Sequence, residues 1–451
     1  MMEKTEKSLR ANGRLRQHPL YDEAHTAASE LLSFIQDSPT AWHAVKNVCD
    51  LLYENGFRRC SPDTLGSLRE GDKGYFTIND SSVLIFRIGY GRFDKGYRVF
   101  GVHTDSPSLK IKPKALSIAD SVVRLNTEVY GGPLLRTYFD RPLSLAGRVM
   151  LKGASSFTPK SCLVNLKKPI LMLPSLAIHM QPAGGEEKID RQKVLYPFLC
   201  GADEAGDEAF FEELLAEELG VDPGEILDFE LHTFEAEAPT FCGLDDCFIS
   251  AGRLDNLSML YAGVRGLLNT EGIGQGVQIV LATDNEEVGS QTRMGADSIR
   301  TRDLLECLAL GLGASRSDFL ASFEHSFMIS ADLAHAVHPN YPEAADPDHR
   351  PHINGGPVMK IAASKSYISD AASQAVFRSL AAKAGVPLQV FVNRSDRRGG
   401  STIGPISSSY LPMPAVDVGN PIWGMHSIRE TGGMMDPLYM EKVASAFFSE
   451  A

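Results

Sequence analysis

Cysteine, basic charge and long apolar runs are what this sequence has least of, and each shortage removes a class of protein. Seven cysteines (49, 60, 162, 200, 242, 247 and 307) are scattered without a CxxC pair, which excludes a disulfide scaffold. Cys242 and Cys247 lie close together, but no partner pair for a zinc knuckle accompanies them. Free thiols fit a reducing compartment, so a cytoplasmic location is expected. No apolar run reaches the length of a membrane span, and no membrane partner is expected. The stretch from Met1 to His18 is polar and basic without an apolar centre, which reads as a frayed tail and not a signal peptide. Lysine and arginine number 44 against 57 acids, giving a net charge of -13. That is the wrong sign for a phosphate-binding face, and nucleic acid is excluded as a partner.

What is present is ordinary in bulk. A hydrophobic content of 43% over 451 residues predicts a globular chain of two or three domains. Ser38-Pro39 ahead of Thr40-Ala41-Trp42 reads as an N-cap with proline at the first helical position, opening a helix that stops at Asn55-Gly56. Strands follow at Ser82–Ile88 and Tyr97–Val102. From about Ser106 to Ala238 the texture changes to short β-type runs (Val122–Leu125, Leu145–Leu151, Pro169–Leu173) between Gly/Pro turns, which predicts a mostly β insert. It carries a polar loop at Gly184–Lys193 and an acidic amphipathic helix at Asp207–Leu219. Beyond Asp245 the pattern is β–α–β. Apolar residues from Leu257 to Leu268 keep helical spacing, and strands are expected at Val277–Ala282, Phe327–Ser330, Leu388–Val392 and Ala415–Val418. Alternation of this kind predicts an α/β sheet with helices on both faces.

Five short segments carry the chemistry: Gly101–Asp105, Arg253–Asn256, Asp284–Gly289, Ser330–His335 and Gly424–Ser427. His103, the Asp284–Glu287 group and Asp332 each fall just past a predicted strand, and Asp255 opens a helix. Ligands of open α/β sheets bind beyond the carboxyl ends of the strands, so residues over 300 positions apart can converge there. Imidazoles and carboxylates are what zinc-like ions take. A metal pair needs one shared carboxylate, two further ligands on each ion, and a spare glutamate to move a proton. Glu286 and Glu287 suit that division, since consecutive side chains point different ways. Asp105 could accept a hydrogen bond from His103 and fix its tautomer. Singly, each has a duller reading: a loop histidine, an N-cap at Asp255, a solvated Glu-Glu pair, a turn residue at Asp332. His335 and His338 read as pocket lining. Only the joint occurrence is telling.

The same segments resemble the aspartyl aminopeptidase family of co-catalytic zinc metallopeptidases over nearly the whole chain. The shared runs are Gly-Val-His-Thr-Asp-Ser-Pro (101–107), Tyr-Gly-Gly (130–132), Phe-Asp-Arg (139–141), Arg-Leu-Asp-Asn-Leu (253–257) and Asp-Asn-Glu-Glu-Val-Gly-Ser (284–290). They continue with the twelve residues from Ser330 to Tyr341, Ser-Thr-Ile-Gly-Pro-Ile (401–406) and Met-His-Ser-Ile-Arg-Glu (425–430). The resemblance implies a mixed-sheet catalytic domain from residues 1–105 and 240–451, interrupted by a β-rich dimerisation domain at 106–239. It implies two divalent metals per subunit, zinc first, with cobalt and manganese also compatible with such donors. Asp255 would bridge them, Glu287 and His426 would complete one shell, and His103 and Asp332 the other. Glu286 would be the general base and Asp105 the partner of His103. Relatives form tetrahedral dodecamers built from dimers, in which a histidine matched by His179 reaches a neighbour's active site; read from sequence alone, His179 is an ordinary strand residue. Lys360, in Gly-Pro-Val-Met-Lys (356–360), would receive an acidic first side chain of a peptide with a free N-terminus. Two positions depart from the family pattern, Pro142 where aspartate is usual and Gly399 where cysteine is common, and neither touches a predicted ligand. A preference for neutral first residues, a related dinuclear carboxypeptidase or deacylase, and a non-catalytic assembly protein are the alternatives.

Overall fold

The computed structural model describes residues 15–181, 189–204, 209–397 and 399–450. Its centre is a nine-stranded mixed sheet. In chain order the strands are β1 (Arg58–Arg59), β2 (Lys73–Ile78), β3 (Ser82–Ile88), β4 (Tyr97–His103), β5 (Val277–Thr283), β6 (Phe327–Ala331), β7 (Val358–Ile361), β8 (Gln389–Val392) and β9 (Ala415–Gly419). Their spatial order is β1-β2-β3-β5-β4-β6-β9-β7-β8. The middle strands β5, β4, β6 and β9 run parallel, while β3 and β7 meet them antiparallel.

Strand alternation explains why both faces are covered. In β3, Val83 and Ile85 point into one core while Leu84, Phe86 and Ile88 point into another; in β5, Val280 and Ala282 oppose Val277, Ile279 and Leu281. Five helices cover the first face: α1 (Tyr21–Asp37), α2 (Ala41–Glu54), α3 (Leu254–Asn269), α6 (Ala371–Ala384) and α8 (Asp436–Ser449). The other face is covered by α4 (Ile299–Gly311), α5 (Arg316–Ser322) and the short α7 (Ile403–Ser407). The α/β class with helices on both faces is as expected. Among the described residues no helix is long and apolar enough to cross a membrane.

Residues Ser108–Glu235 build a second, seven-stranded sheet around a separate apolar core. Pairing of Ile226–Glu235 with both Ser108–Ala119 and Pro142–Leu151 closes it on itself. Those two flanking strands escaped the sequence reading at Ser108–Ala119 and Ile226–Glu235. In the first, Pro113 sits at a register shift between Ile111 and Leu116, where a strand tolerates a missing donor. The run at Val122–Leu125 extends to Tyr130, Leu145–Leu151 starts at Pro142, and Pro169–Leu173 shrinks to Leu171–Met172. The acidic helix spans Phe210–Leu219 and buries Phe211 and Leu215; residues 207–208 and residues 184–188 of the 184–193 loop lie outside the described residues. A third sheet joins Thr240–Cys242, Phe248–Ala251, Glu430–Gly433, Pro421–Trp423 and Ala334–His335.

Two local expectations are corrected. Ser38 ends α1, its N–H donating to Ile35 O, so α2 is capped by Thr40 in extended backbone and Pro39 lies in the link. Most of the expected tail is outside the described residues, and Leu15–Gln17 forms a 3₁₀ turn.

One core acid carries a stability prediction. Glu441 of α8 is 6% exposed and its Oε1 has no partner. Burial lifts its pKa from 4.5 to about 7, with Arg265 opposing and Glu30 and Glu23 adding to the rise. A raised carboxyl contributes stability that is intact below its unfolded value and lost as pH climbs through the folded value. Glu441→Gln should therefore stabilise the protein by about 2 kcal/mol at pH 8 and by almost nothing at pH 4. Melting curves at the two pH values check this; an equal effect at both would contradict it.

Candidate metal centre

Three neighbouring parallel strands bring the acids and histidine together. His103 ends β4 and pairs across from Thr283 at the end of β5, and β6 ends beside them one residue before Asp332. The chain after β5 turns at Asn285 (φ 63°) into a 3₁₀ turn holding Glu286 and Glu287. Asp255 enters from the start of α3 but does not cap it. Arg253 is left-handed (φ 59°), Asp255 is extended, the Asp255–Asn256 peptide is cis, and regular helix follows. His426, itself at φ 67°, sits between the strands Pro421–Trp423 and Glu430–Gly433.

The two oxygens of Asp255 face different histidines. Oδ1 lies 3.3 Å from His103 Nε2 and Oδ2 lies 3.6 Å from His426 Nε2. Asp332 Oδ1 stands 3.6 Å from His103 Nε2, and Glu287 Oε2 stands 3.5 Å from His426 Nε2. Donor atoms of His103, Asp255 and Glu287 all fall within 4.8 Å of one another. Asp255 Oδ1 and Glu287 Oε1 are buried without any hydrogen-bond partner. Buried carboxylate oxygens are seldom left so, and hard cations are what such oxygens hold. The residues present therefore fit a pair of divalent metals. All five expected ligands and Glu286 line one cleft of about 220 Å³.

Other groups hold the ligands in place. His103 Nδ1 meets the backbone carbonyl of Asp105 at 3.1 Å, closer than the Asp105 carboxylate at 3.4 Å, so the expected tautomer-fixing partner is mainly main-chain. The carboxylate accepts N–H bonds from Glu286 and Glu287, both at 3.1 Å, and the Tyr130 hydroxyl at 2.7 Å. Asp105 thus fixes the backbone of Glu286 and Glu287 as well as the ring of His103. Glu430, which the sequence reading left out, is 2% exposed and accepts from the N–H of Asp255 (3.0 Å) and of His426 (2.8 Å). Its place in Met-His-Ser-Ile-Arg-Glu was the only available signal. At Gly131 (φ 72°) a Cβ would sit 3.1 Å from Glu287 Cβ, which explains the glycine after Tyr130.

Crowded acids shift one another. Burial lifts Glu286 to about 7, with His103 opposing and Asp332 and Asp255 adding to the rise. Burial and then Asp255 hold Glu287 well above the usual carboxylate range. Burial pushes the His103 imidazole down, but Asp105, Asp255 and Asp332 outweigh it and leave the pKa well above the ordinary value. Lys360 is 3% exposed and not the surface residue its type suggests. Its Nζ donates to Leu333 O at 3.1 Å and to Asp332 Oδ2 at 3.4 Å. Burial would lower its pKa, yet Asp332 and its neighbours raise it, so the ammonium stays charged. His335 lines the cleft and His338 does not. His179 lies outside the cleft, in the exposed 3₁₀ turn Ile178–Met180 and not in a strand.

A mixed sheet with a histidine–carboxylate cluster at its carboxyl ends is the arrangement of an α/β metallohydrolase. A family model described as aminopeptidase I zinc metalloprotease (M18) matches residues 34–448. The chain belongs to that family, whose members are metal-dependent aminopeptidases. It is 44% identical over 426 residues to a probable M18 family aminopeptidase 2 of Clostridium acetobutylicum, covering 94% of this chain and 98% of that one. A Pseudomonas aeruginosa protein of the same description is 39% identical, with 93% and 97% covered. The fold matches a chain of the Ape4 and Nbr1 complex with a TM-score of 0.92 at 33% identity, covering 96% of this chain and 87% of that one. It matches the S. cerevisiae mApe1 dodecamer with a TM-score of 0.81 at 26% identity, covering 94% and 96%.

If Glu430 positions both Asp255 and His426, Glu430→Ala should weaken zinc binding by about 10–100-fold while the protein stays folded. Competition against a chromogenic chelator measures this, and unchanged affinity would contradict it.

Proposed function

We propose that this protein removes the first residue from peptides with a free N-terminus, using two zinc ions that Asp255 and the four donors around it would hold. The observation that carries the reading is the split of the Asp255 carboxylate between His103 and His426. Asp332 would join His103 on one ion and Glu287 would join His426 on the other. Bound metal supplies a Lewis acid and an acidified water at neutral pH. Glu286 takes the proton of the attacking water and returns it to the leaving amine nitrogen. Asp105 holds the backbone of Glu286 and the ring of His103 while this happens. The free α-amino group of the substrate would be held beside the metals, which limits cleavage to the first residue.

We assign the pocket for the first side chain to Lys360 and prefer Asp or Glu there. An ammonium has three donors and two are used within the protein, which leaves one for a substrate carboxylate. For assembly we propose a tetrahedral dodecamer built from dimers, with residues 106–239 as the dimerising unit. The dodecameric mApe1 relative supports it. So do the exposed Leu176, Ile178 and Met180 around His179, which would enter a neighbour's active site and help polarise the substrate carbonyl. Seven cysteines without a disulfide among them suit a cytoplasmic location.

The test is hydrolysis of unblocked and N-acetylated dipeptide amides beginning with Asp, Glu, Leu, Ala or Lys, with and without chelator. Unblocked members should be cleaved with Asp and Glu leading, chelator should stop the reaction, and acetylated members should resist. Glu286→Gln should lose about 10²–10⁴-fold in kcat at unchanged metal content. Leadership by Leu or Ala would remove the acidic pocket. Cleavage of acetylated members, or full activity in Glu286→Gln, would overturn the mechanism.

A further inference from the structure

The segment Ser401–Ile406 belongs to the shared runs of the sequence, yet the reaction described above uses none of it. Thr402 and Ser401 line the metal cleft from one loop, and Tyr367 lines it from another. Both loops hang from one group. Asp417 of β9 is fully buried; one carboxylate oxygen accepts the Ile368 N–H at 2.6 Å and the other accepts the Thr402 hydroxyl at 2.8 Å. Its own N–H donates to Ser369 Oγ at 2.9 Å. The approach is close enough to require Gly404, where a Cβ would lie 2.7 Å from Asp417 Oδ1 and 2.9 Å from Ser330 Oγ.

Every residue of β9 is buried, so an aliphatic side chain would serve the sheet better than an acid at this place. A buried carboxylate is unfavourable unless its bonds repay the lost hydration, and here each carboxylate oxygen is held from one cleft loop, with Ser330 of β6 also favouring the ionised form. Strand β9 runs parallel to β6, which delivers Asp332. The loops and a ligand are therefore referenced to adjacent strands of one rigid sheet.

We propose that Asp417 is a positioning residue that sets the pocket for the substrate's first side chain by tethering both cleft loops to the sheet. The inference rests on the aminopeptidase reading. Its test compares wild type, Asp417→Asn and Thr402→Val on the unblocked dipeptide amides, with metal content and melting temperature recorded alongside. Asp417→Asn should raise KM for the best first residue about ten-fold at nearly constant kcat, and should flatten the preference across the panel. Thr402→Val, which removes one tether and keeps the acid, should move both quantities the same way by less. Metal content should not change. A merely structural role predicts lower melting temperature with the ranking of first residues intact, and that result in either folded variant overturns the proposal. Wild type that cleaves no panel member would instead overturn the reading of the reaction, and this inference with it.

Discussion

One buried carboxylate organises the molecule. Asp255 is 3% exposed, stands between two imidazoles, and shares its pocket with Glu286, Glu287 and Asp332, with Asp105 close enough to act on Glu286. Concentrating acids away from water is costly unless opposite charge or N–H donors meet them. The chain's own compensation is visible in Lys360, in the two amides that hold Asp105 and in the two that hold Glu430. It is incomplete, since oxygens of Asp255 and Glu287 remain without partners. Divalent metal is the physical answer that this imbalance asks for.

The backbone is shaped around the same need. Arg253, Asn285 and His426 are non-glycine residues in the left-handed region, at φ 59°, 63° and 67°. Each stands beside or at a proposed ligand, and each such conformation costs on the order of 1–3 kcal/mol. The surrounding sheet makes them tolerable. Parallel β5, β4 and β6 fix the ends where Glu287, His103 and Asp332 emerge, and the five-stranded sheet fixes His426 and Glu430. Packing on both faces of the central sheet keeps these ends in register.

Much of this was legible in the residues because it depends on local order. Strand ends within one residue of His103, Thr283 and Ala331 follow from apolar runs that stop at polar residues, and the candidate ligand types announce themselves by chemistry. What was not legible depends on contacts between distant segments. Glu430 matters only because its carboxylate reaches the amides of Asp255 and His426. The burial of Lys360 follows from Asp332, 28 residues away. The strand Ser108–Ala119 was hidden by Pro113, which the fold places at an irregular register. Ser38 looked like a helix start, whereas the preceding helix claims it as an end.

The most direct test of the account is a zinc titration of metal-free protein, counting tightly bound equivalents per chain. A shared Asp255 predicts two equivalents in wild type, one in His426→Ala and none of comparable affinity in Asp255→Ala, with all three proteins folded. Two equivalents surviving in Asp255→Ala, or only one in wild type, would contradict the bridging carboxylate on which the rest is built.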